Sequence, residues 1–286
     1  MWTSENWKDY RLLDCGGGMR LERWGAQTLV RPDPQAVWPA ADARGWDRAD
    51  ATYHRSSSGG GSWEVRSLPA SWTVRYEDLT FCVKPMSFKH TGVFPEQAAN
   101  WDFIRAQLRK RRGAQVLNLF AYTGGATLAA ASAGASVCHV DAARGMVSWA
   151  KENARASGLD HAPVRYIVDD CMKFIRREIT RGRRYDGIIM DPPSYGRGPS
   201  GEVWRFEDQI AELIGVSAQL LSDDPLFFVI SSYTAGVSPS VPAYILGDTV
   251  ARRLGGTVET GELGLRCERT GLLLPCGSTT RWQREA

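Results

Sequence analysis

The sequence predicts an α/β protein: a mostly parallel, seven-stranded sheet with helical crossovers, preceded by a small β-rich domain. Two observations predict it. From about residue 98 onward, short apolar runs alternate regularly with helix-length stretches, as parallel strands joined by helices do. Before that, residues 11–80 read as short strands separated by turns. The expected domains are 1–84 and 85–286.

In the first part, Arg20–Gly25 and Gln27–Pro34 form a hairpin pair closed at Gly25, and Thr73–Val83 forms another. Ser56-Ser-Ser-Gly-Gly-Gly-Ser62 is a low-complexity loop. This part holds seven of the 11 tryptophans, at 2, 7, 24, 38, 46, 63 and 72. Aromatics on strands can stack on unpaired bases, but a Trp-rich small domain more often spends them on core, where each buries a large area.

In the second part, a helix over 97–111 leads into a strand at 116–120, then a helix at 125–133 and a strand at 136–141. Arg144 to Ser157 is a helix stopped by Gly158. A strand at 164–168 ends at Asp169-Asp170, and a helix covers 171–181. The strand at 185–190 precedes Asp191-Pro192-Pro193, and a helix near 205–221 leads to a strand at 225–231. A helix near 240–254 and strands near 257–265 and 270–275 complete the chain; no helix separates that last pair, so they form a hairpin.

Three stretches carry chemistry. Tyr185-Asp-Gly-Ile-Ile-Met-Asp-Pro-Pro-Ser-Tyr195 is a buried strand broken by two prolines, which have no N–H and cannot continue a ladder. Asp191 is thereby held at a strand's carboxyl end, where open α/β sheets bind ligands. Val116-Leu-Asn-Leu-Phe-Ala-Tyr-Thr-Gly-Gly-Ala-Thr is a strand, a glycine turn and the start of a helix, and Ala135-Ser-Val-Cys-His-Val-Asp141 is a second strand ending in an acid. Glycines let backbone approach a ligand, and such an acid accepts hydrogen bonds from a ribose. The dinucleotide pattern G-x-G-x-x-G is absent, because Gly124 and Gly125 are adjacent. Asp169-Asp170 either contacts the ligand or caps the next helix, and one residue can do each.

Together these stretches resemble the class I S-adenosylmethionine-dependent methyltransferases, and more closely the bacterial large-subunit rRNA methyltransferases, which carry similar "NLFAYTGG", "VD" and "DPPSYG" segments. Phe88-Lys-His-Thr-Gly-Val-Phe-Pro-Glu-Gln97 adds to the match, which spans roughly residues 80–276. The resemblance implies a Rossmann-like sheet with its last strand antiparallel and S-adenosyl-L-methionine as cofactor. It implies cofactor binding by Phe94, Gln97, Asn118, Phe120, Tyr122, Thr123, Gly124, Asp141, Asp170, Cys171 and Asp191. Asp191, Pro192 and Pro193 would form the catalytic loop, with the Pro192 carbonyl able to accept from a nitrogen nucleophile. Lys89 and His90 are either part of the site or surface residues of their loop.

Composition is that of an ordinary globular chain, at 43% hydrophobic and 23% charged over 286 residues. No apolar run approaches the roughly 18 residues of a membrane helix, and the N-terminus has no basic region followed by an apolar core, so the cytoplasm is the expected compartment. The six cysteines form no C-x-x-C pair and the four histidines are scattered, so no metal is expected. Net charge is +3, but residues 100–191 carry 15 basic against 9 acidic side chains. The surplus concentrates in Arg105–Arg112 and Arg176–Arg184. Such clusters suit an RNA partner; equally, they are the cationic ends of two helices.

Relatives that methylate carbon 5 of pyrimidines need a cysteine that adds to C6. In the rRNA cytosine enzymes this chain resembles, that cysteine follows the fifth strand; here the place reads Val229-Ile-Ser-Ser-Tyr-Thr234. A nitrogen target in rRNA therefore fits better. The alternatives are a NAD-dependent oxidoreductase, for which no Tyr-x-x-x-Lys pattern appears, and a non-catalytic RNA-binding protein that keeps the fold.

Overall fold

The computed structural model describes residues 1–40, 45–56, 60–197 and 203–285. By packing, the chain divides into two units: Met1–Ala98 with Gly264–Cys276, and Ala99–Leu263 with Gly277–Ala286. We keep the 84/85 boundary as a proposal for where the sequence changes character.

The first unit is built on β1 (Tyr10–Gly16), β2 (Met19–Trp24), β3 (Gln27–Pro32), β4 (Ala51–Arg55) and β5 (Gly61–Val65), hydrogen-bonded in that order. A separate antiparallel pair follows, β6 (Trp72–Tyr76) and β7 (Leu79–Val83). Gly25 turns β2 into β3. The middle of the serine–glycine segment, 57–59, lies outside the described residues; its end, from Gly61, begins β5.

The tryptophans serve structure. Trp24 is fully buried against Tyr10, and Trp7 packs edge-on to Tyr76. The indoles of Trp38, Trp46, Trp63 and Trp72 donate to Cys15 O, Asp14 Oδ2, Met86 O and Trp24 O, respectively. An indole N–H usually finds a partner when its ring is buried, and each of these four bonds ties one segment to another.

A buried ion cluster crosses this sheet. Glu22 accepts from Arg31 through both oxygens, at 2.6 and 2.8 Å, and from the Tyr10 hydroxyl at 2.8 Å. Arg20 lies 3.3 Å from Glu22 and 3.4 Å from Asp33. Burial alone would raise the Glu22 pKa, but the two guanidiniums overcome it and hold the carboxyl at about 2. Arg31 also donates to Lys89 O, and Lys89 Nζ donates to Pro32 O.

The second unit begins with α1 (Ala98–Leu108) and alternates β8 (Gln115–Leu119), α2 (Gly125–Ser132), β9 (Ser136–Asp141), α3 (Arg144–Ala156), β10 (Val164–Val168), α4 (Cys171–Thr180) and β11 (Gly187–Met190). A small hairpin, β12 (Tyr195–Arg197) with β13 (Val203–Arg205), precedes α5 (Phe206–Ala218) and β14 (Phe227–Ser232). Next comes α6 (Ser240–Leu246), continued by a π-helical segment Gly247–Ala251 and a last turn Arg252–Leu254. Strands β15 (Thr257–Arg266) and β16 (Leu273–Gln283) end the chain.

The seven strands run β10-β9-β8-β11-β14-β16-β15, parallel from β10 to β14, with β16 antiparallel to β14. The parallel strands are apolar on both faces: Leu117, Ile188 and Phe228 lie in one core layer, Val116, Ile189 and Phe227 in the other. The chain builds outward from β8 to β10, then returns to place β11 on β8's other side. The order therefore reverses between β8 and β11, where such sheets bind ligands at the carboxyl ends.

Strand β16 extends well past the expected 270–275. The residues 276–283 look polar in sequence, but their groups are satisfied inside the unit. Thr279 Oγ1 donates to Asn100 Oδ1 and Ile230 O, Arg281 donates to Asn100 Oδ1 and Ala99 O, and Trp282 donates to Gly255 O. Among the described residues no helix is long and apolar enough to cross a membrane.

The Glu22 cluster makes a testable prediction. A carboxyl whose pKa falls from 4.5 to about 2 on folding stabilises fully above about pH 4.5, and that contribution is lost as pH falls through about 2. Glu22→Ala strands two buried guanidiniums and should cost about 3–5 kcal/mol. Urea unfolding should show this loss at neutral pH, and the gap to wild type should close as the pH drops from 4.5 toward 2.

Candidate active site

The site is built on the turn after β8. Phe120 and Tyr122 both adopt the left-handed region, at φ 54° and 51°, and Gly124 follows at φ 88°. Non-glycine residues there cost roughly 1–2 kcal/mol each, so surrounding bonds must enforce the shape. The Phe120 N–H donates to Cys171 Sγ at 3.4 Å, Ala121 N to Val140 O, Tyr122 N to Asp141 Oδ2 at 2.8 Å, and Gly124 N to Ala121 O. Asn153 Nδ2 donates to Thr123 O from the buried side of α3.

The two glycines are required by packing. A Cβ on Gly124 would come within 3.0 Å of the Ala150 Cβ, and one on Gly125 within 2.5 Å of the Trp101 ring. Helices α3 and α1 thus close on the turn from two sides. Asn118 is only 3% exposed and its amide donates to Thr127 Oγ1, which bonds His139 Nδ1. Burial pushes the His139 pKa down to about 3, so the imidazole is neutral. Asn118 therefore holds β8, α2 and β9 together beneath the turn.

Asp141 ends β9 beside this turn. Its Oδ1 accepts from Ala143 N and its Oδ2 from Tyr122 N, both at 2.8 Å. Burial raises its pKa, and the two amides work against that shift. A carboxylate offers about four lone-pair positions, so one remains on each oxygen for a vicinal diol. That donor set fits the ribose of a nucleoside cofactor.

Beyond β10, Asp169 pairs with Arg177, while Asp170 Oδ1 caps α4 by accepting from Lys173 N at 2.8 Å. Cys171 is 3% exposed, and burial raises its thiol pKa far above the usual range.

The Asp191–Ser194 loop leaves β11 next to the same turn. Pro192 is buried and Pro193 exposed. Three bonds fix the loop: Trp204 Nε1 to Pro193 O at 2.6 Å, Phe206 N to Ser194 O at 3.1 Å, and Thr234 Oγ1 to Ser194 Oγ at 2.9 Å. The Trp204 ring lies 5.9 Å from the Phe120 ring, so it joins the Asp191–Ser194 loop to the glycine turn. Trp204 and Thr234 were not singled out from sequence. Trp204 stands on a three-residue strand, too short to show any periodicity.

Structure thus brings Asn118, Phe120, Tyr122, Thr123, Gly124, Asp141, Asp170, Cys171, Asp191, Pro192 and Pro193 to the carboxyl ends of neighbouring strands β8–β11. Phe94 and Gln97 belong to the first unit, where Phe94 packs 5.0 Å from His90 and its carbonyl accepts from Gln97 N. In that unit, burial and the nearby arginines lower the Lys89 pKa to about 8 and the His90 pKa to about 3.

The basic clusters sit at the other end of the sheet, after α1 and α4 and ahead of β8 and β11. Several of their members are engaged there: Arg111 with Asp186 and Asp224, Arg176 with Glu212, Arg181 with Glu178, and Arg105 with Ser132 Oγ. No group of three or more metal-ligating side chains occurs among the described residues.

Four of the amides between Phe120 and Gly124 donate inside the protein. That stretch therefore does not fan N–H groups outward, as a cradle for a dinucleotide's diphosphate would. It suits the cationic methionine end of S-adenosylmethionine better.

The S-adenosylmethionine-dependent methyltransferase family matches this chain over residues 27–222. The crystal structure of a SAM-dependent methyltransferase from Agrobacterium tumefaciens superimposes with a TM-score of 0.93 at 37% identity, covering 99% of this chain and 93% of that one. A ribosomal RNA large subunit methyltransferase K/L from Shewanella frigidimarina is 38% identical over 115 residues, 40% of this chain and 16% of the relative. One of the same name from Magnetococcus marinus is 33% identical over 159 residues, 54% and 21%. The chain thus spans about a fifth or less of the length of these two curated relatives.

Removing the Asp141 carboxylate leaves ribose hydroxyls unpaired and frees the Tyr122 amide that holds the turn. Asp141→Ala should weaken S-adenosylhomocysteine binding by about 1–3 kcal/mol, measured by titration calorimetry. Affinity equal to wild type would remove Asp141 from the site.

Proposed function

This chain belongs to the S-adenosylmethionine-dependent methyltransferase family, and we propose that it methylates a nitrogen atom of a base in large-subunit ribosomal RNA. The observation that carries the nitrogen target is the absence of a usable thiol beside Asp191–Ser194 among the described residues. The two cysteines of the second unit, Cys138 and Cys171, are both buried and both raised in pKa, chiefly by that burial. A carbon-5 pyrimidine enzyme needs a thiolate that can reach C6. At the corresponding strand end, Ser231 and Ser232 are 3% and 6% exposed. Ser231 Oγ accepts from Asn100 Nδ2, and Ser232 Oγ accepts from Thr234 N.

Bound S-adenosylmethionine supplies a methyl group already activated by the sulfonium charge, so the protein's task is positioning. Asp141 holds the ribose, and Asp170 with the Cys171 backbone reads the adenine edge. Phe120, Tyr122, Thr123 and Gly124 line the methionine part, and Phe94 and Gln97 contribute by family resemblance. Asp191 and the Pro192 carbonyl orient the target nitrogen by accepting its N–H. With the cofactor bound, these residues would hold the target nitrogen's lone pair in line with the methyl carbon, so that sulfur could leave with the C–S electron pair and the nitrogen's proton could pass to solvent.

The rRNA substrate rests on the names of relatives matched over part of their length and on the local motifs they share with this chain. A cytoplasmic location would follow from such a substrate.

Two experiments test this reading. Asp191→Ala should lower methyl transfer to unmethylated large-subunit rRNA by a hundredfold or so, while S-adenosylhomocysteine affinity changes far less; equal turnover would reduce the loop to a turn. With rRNA containing 5-fluorocytosine, no denaturation-resistant protein–RNA adduct should form. An adduct lost on replacing one cysteine would restore carbon-5 methylation.

A further inference from the structure

The β12–β13 hairpin has two unlike faces. Its register sets Tyr195 opposite Arg205, Gly196 opposite Trp204 and Arg197 opposite Val203. Successive side chains on a strand point to opposite sides. Gly196 and Trp204 therefore share the inner face, and that face is spent on the catalytic loop. Trp204 donates to Pro193 O and packs on Phe120, and a Cβ on Gly196 would lie 3.8 Å from the Pro193 ring.

The other face carries Tyr195, Val203 and Arg205. Tyr195 is 51% exposed, Val203 44%, and Arg205 is exposed. Directly opposed residues in an antiparallel pair have Cβ atoms roughly 5 Å apart, so Tyr195 and Arg205 leave the same face from neighbouring positions. Tyr195 follows Ser194 directly, so this face starts where the catalytic loop stops.

Resting on the RNA reading above, we infer that this outer face docks a single-stranded segment of the RNA beside the target base. Tyr195 stacks on a flanking base and Arg205 neutralises a neighbouring phosphate. An aromatic platform with an adjacent cation is what unpaired nucleic acid requires, because every base offers a π-face and every linkage a negative charge. The hairpin thus has a double role: its inner face holds the loop's shape and its outer face brings the strand to it. The cationic clusters at the opposite end of the sheet cannot do this, since they sit at the wrong ends of β8 and β11 and several of their arginines are paired with acids.

The test uses the full chain and large-subunit rRNA transcribed in vitro, with affinity measured by filter binding across a salt series. Tyr195→Ala should weaken RNA binding about tenfold with an unchanged salt slope, and Tyr195→Phe should retain wild-type affinity. Arg205→Gln should flatten the slope of log K against log salt by about 0.7, the value for one phosphate contact to a single strand, and Arg205→Lys should restore it. S-adenosylhomocysteine affinity should stay constant in all four. Should Tyr195→Ala prove unstable, Tyr195→Leu keeps apolar bulk without the stack and should show the same tenfold loss. RNA binding by wild type with equal affinity and slope in the variants would overturn the inference alone. No RNA binding by wild type would overturn the RNA reading and this inference with it. Loss of binding to a protein partner, with RNA binding intact, would reassign the face to protein recognition.

Discussion

The carboxylate of Asp141 governs the cofactor side of the second unit. It ends one strand, yet its Oδ2 holds the Tyr122 amide of the turn after the neighbouring strand. Phe120 and Tyr122 would leave their left-handed conformations if nothing outside the turn opposed it. The bond from Tyr122 N, with those of Phe120 N to Cys171 and Ala121 N to Val140, supplies that opposition. One acid thus helps set the backbone shape of the turn, and its remaining lone pairs are what the proposed ribose contact would use. The two roles are inseparable, and a strand-terminal carboxylate is the simplest group that can perform both.

Beneath the turn lies a second layer of constraint made of neutral hydrogen bonds. Asn118, Thr127 and His139 link β8, α2 and β9 in a chain of side chains almost without exposure. Further along the same face of the sheet, Asn100 ties α1 to β14 through Ser231 and to β16 through Thr279 and Arg281. Buried polar groups left unpaired cost more than paired ones gain, so these networks select one arrangement of helices over the sheet. The ligand-contacting backbone sits on an assembly with little freedom to shift, which is what transfer by positioning demands.

Much of this was legible in the sequence. The alternation of apolar runs and helices gave the parallel sheet, and Asp191-Pro-Pro and the Gly124-Gly125 turn marked the strand ends where the site lies. Asp170 shows how close the reading came: the structure gives it the helix cap that residue type favours, and its adenine contact stays a proposal. The illegible parts have definite causes. Strand β16 was read short because Thr279 and Arg281 look like a polar tail until Asn100, distant in sequence, supplies a partner for both. The hairpin carrying Trp204 has strands of three residues, below the length at which alternation shows. Asn118 was named for cofactor binding by the resemblance of its segment to the family's glycine loop; its bond to Thr127 could not be read from the sequence, and its cofactor contact stays a proposal.

Two buried titratable groups beside the turn are held in their neutral forms. Burial drives the Cys171 thiol upward and the His139 imidazole down to about 3, so each is locked neutral across the physiological range. Asp141, whose pKa burial raises, already accepts two backbone amides. An enzyme that abstracts a difficult proton or attacks a carbon needs a group poised near neutrality. A methyl donor that carries its own positive charge needs only an electron pair brought into line. The pinned turn and the triply fastened Asp191–Ser194 loop suit a reaction that depends on positioning.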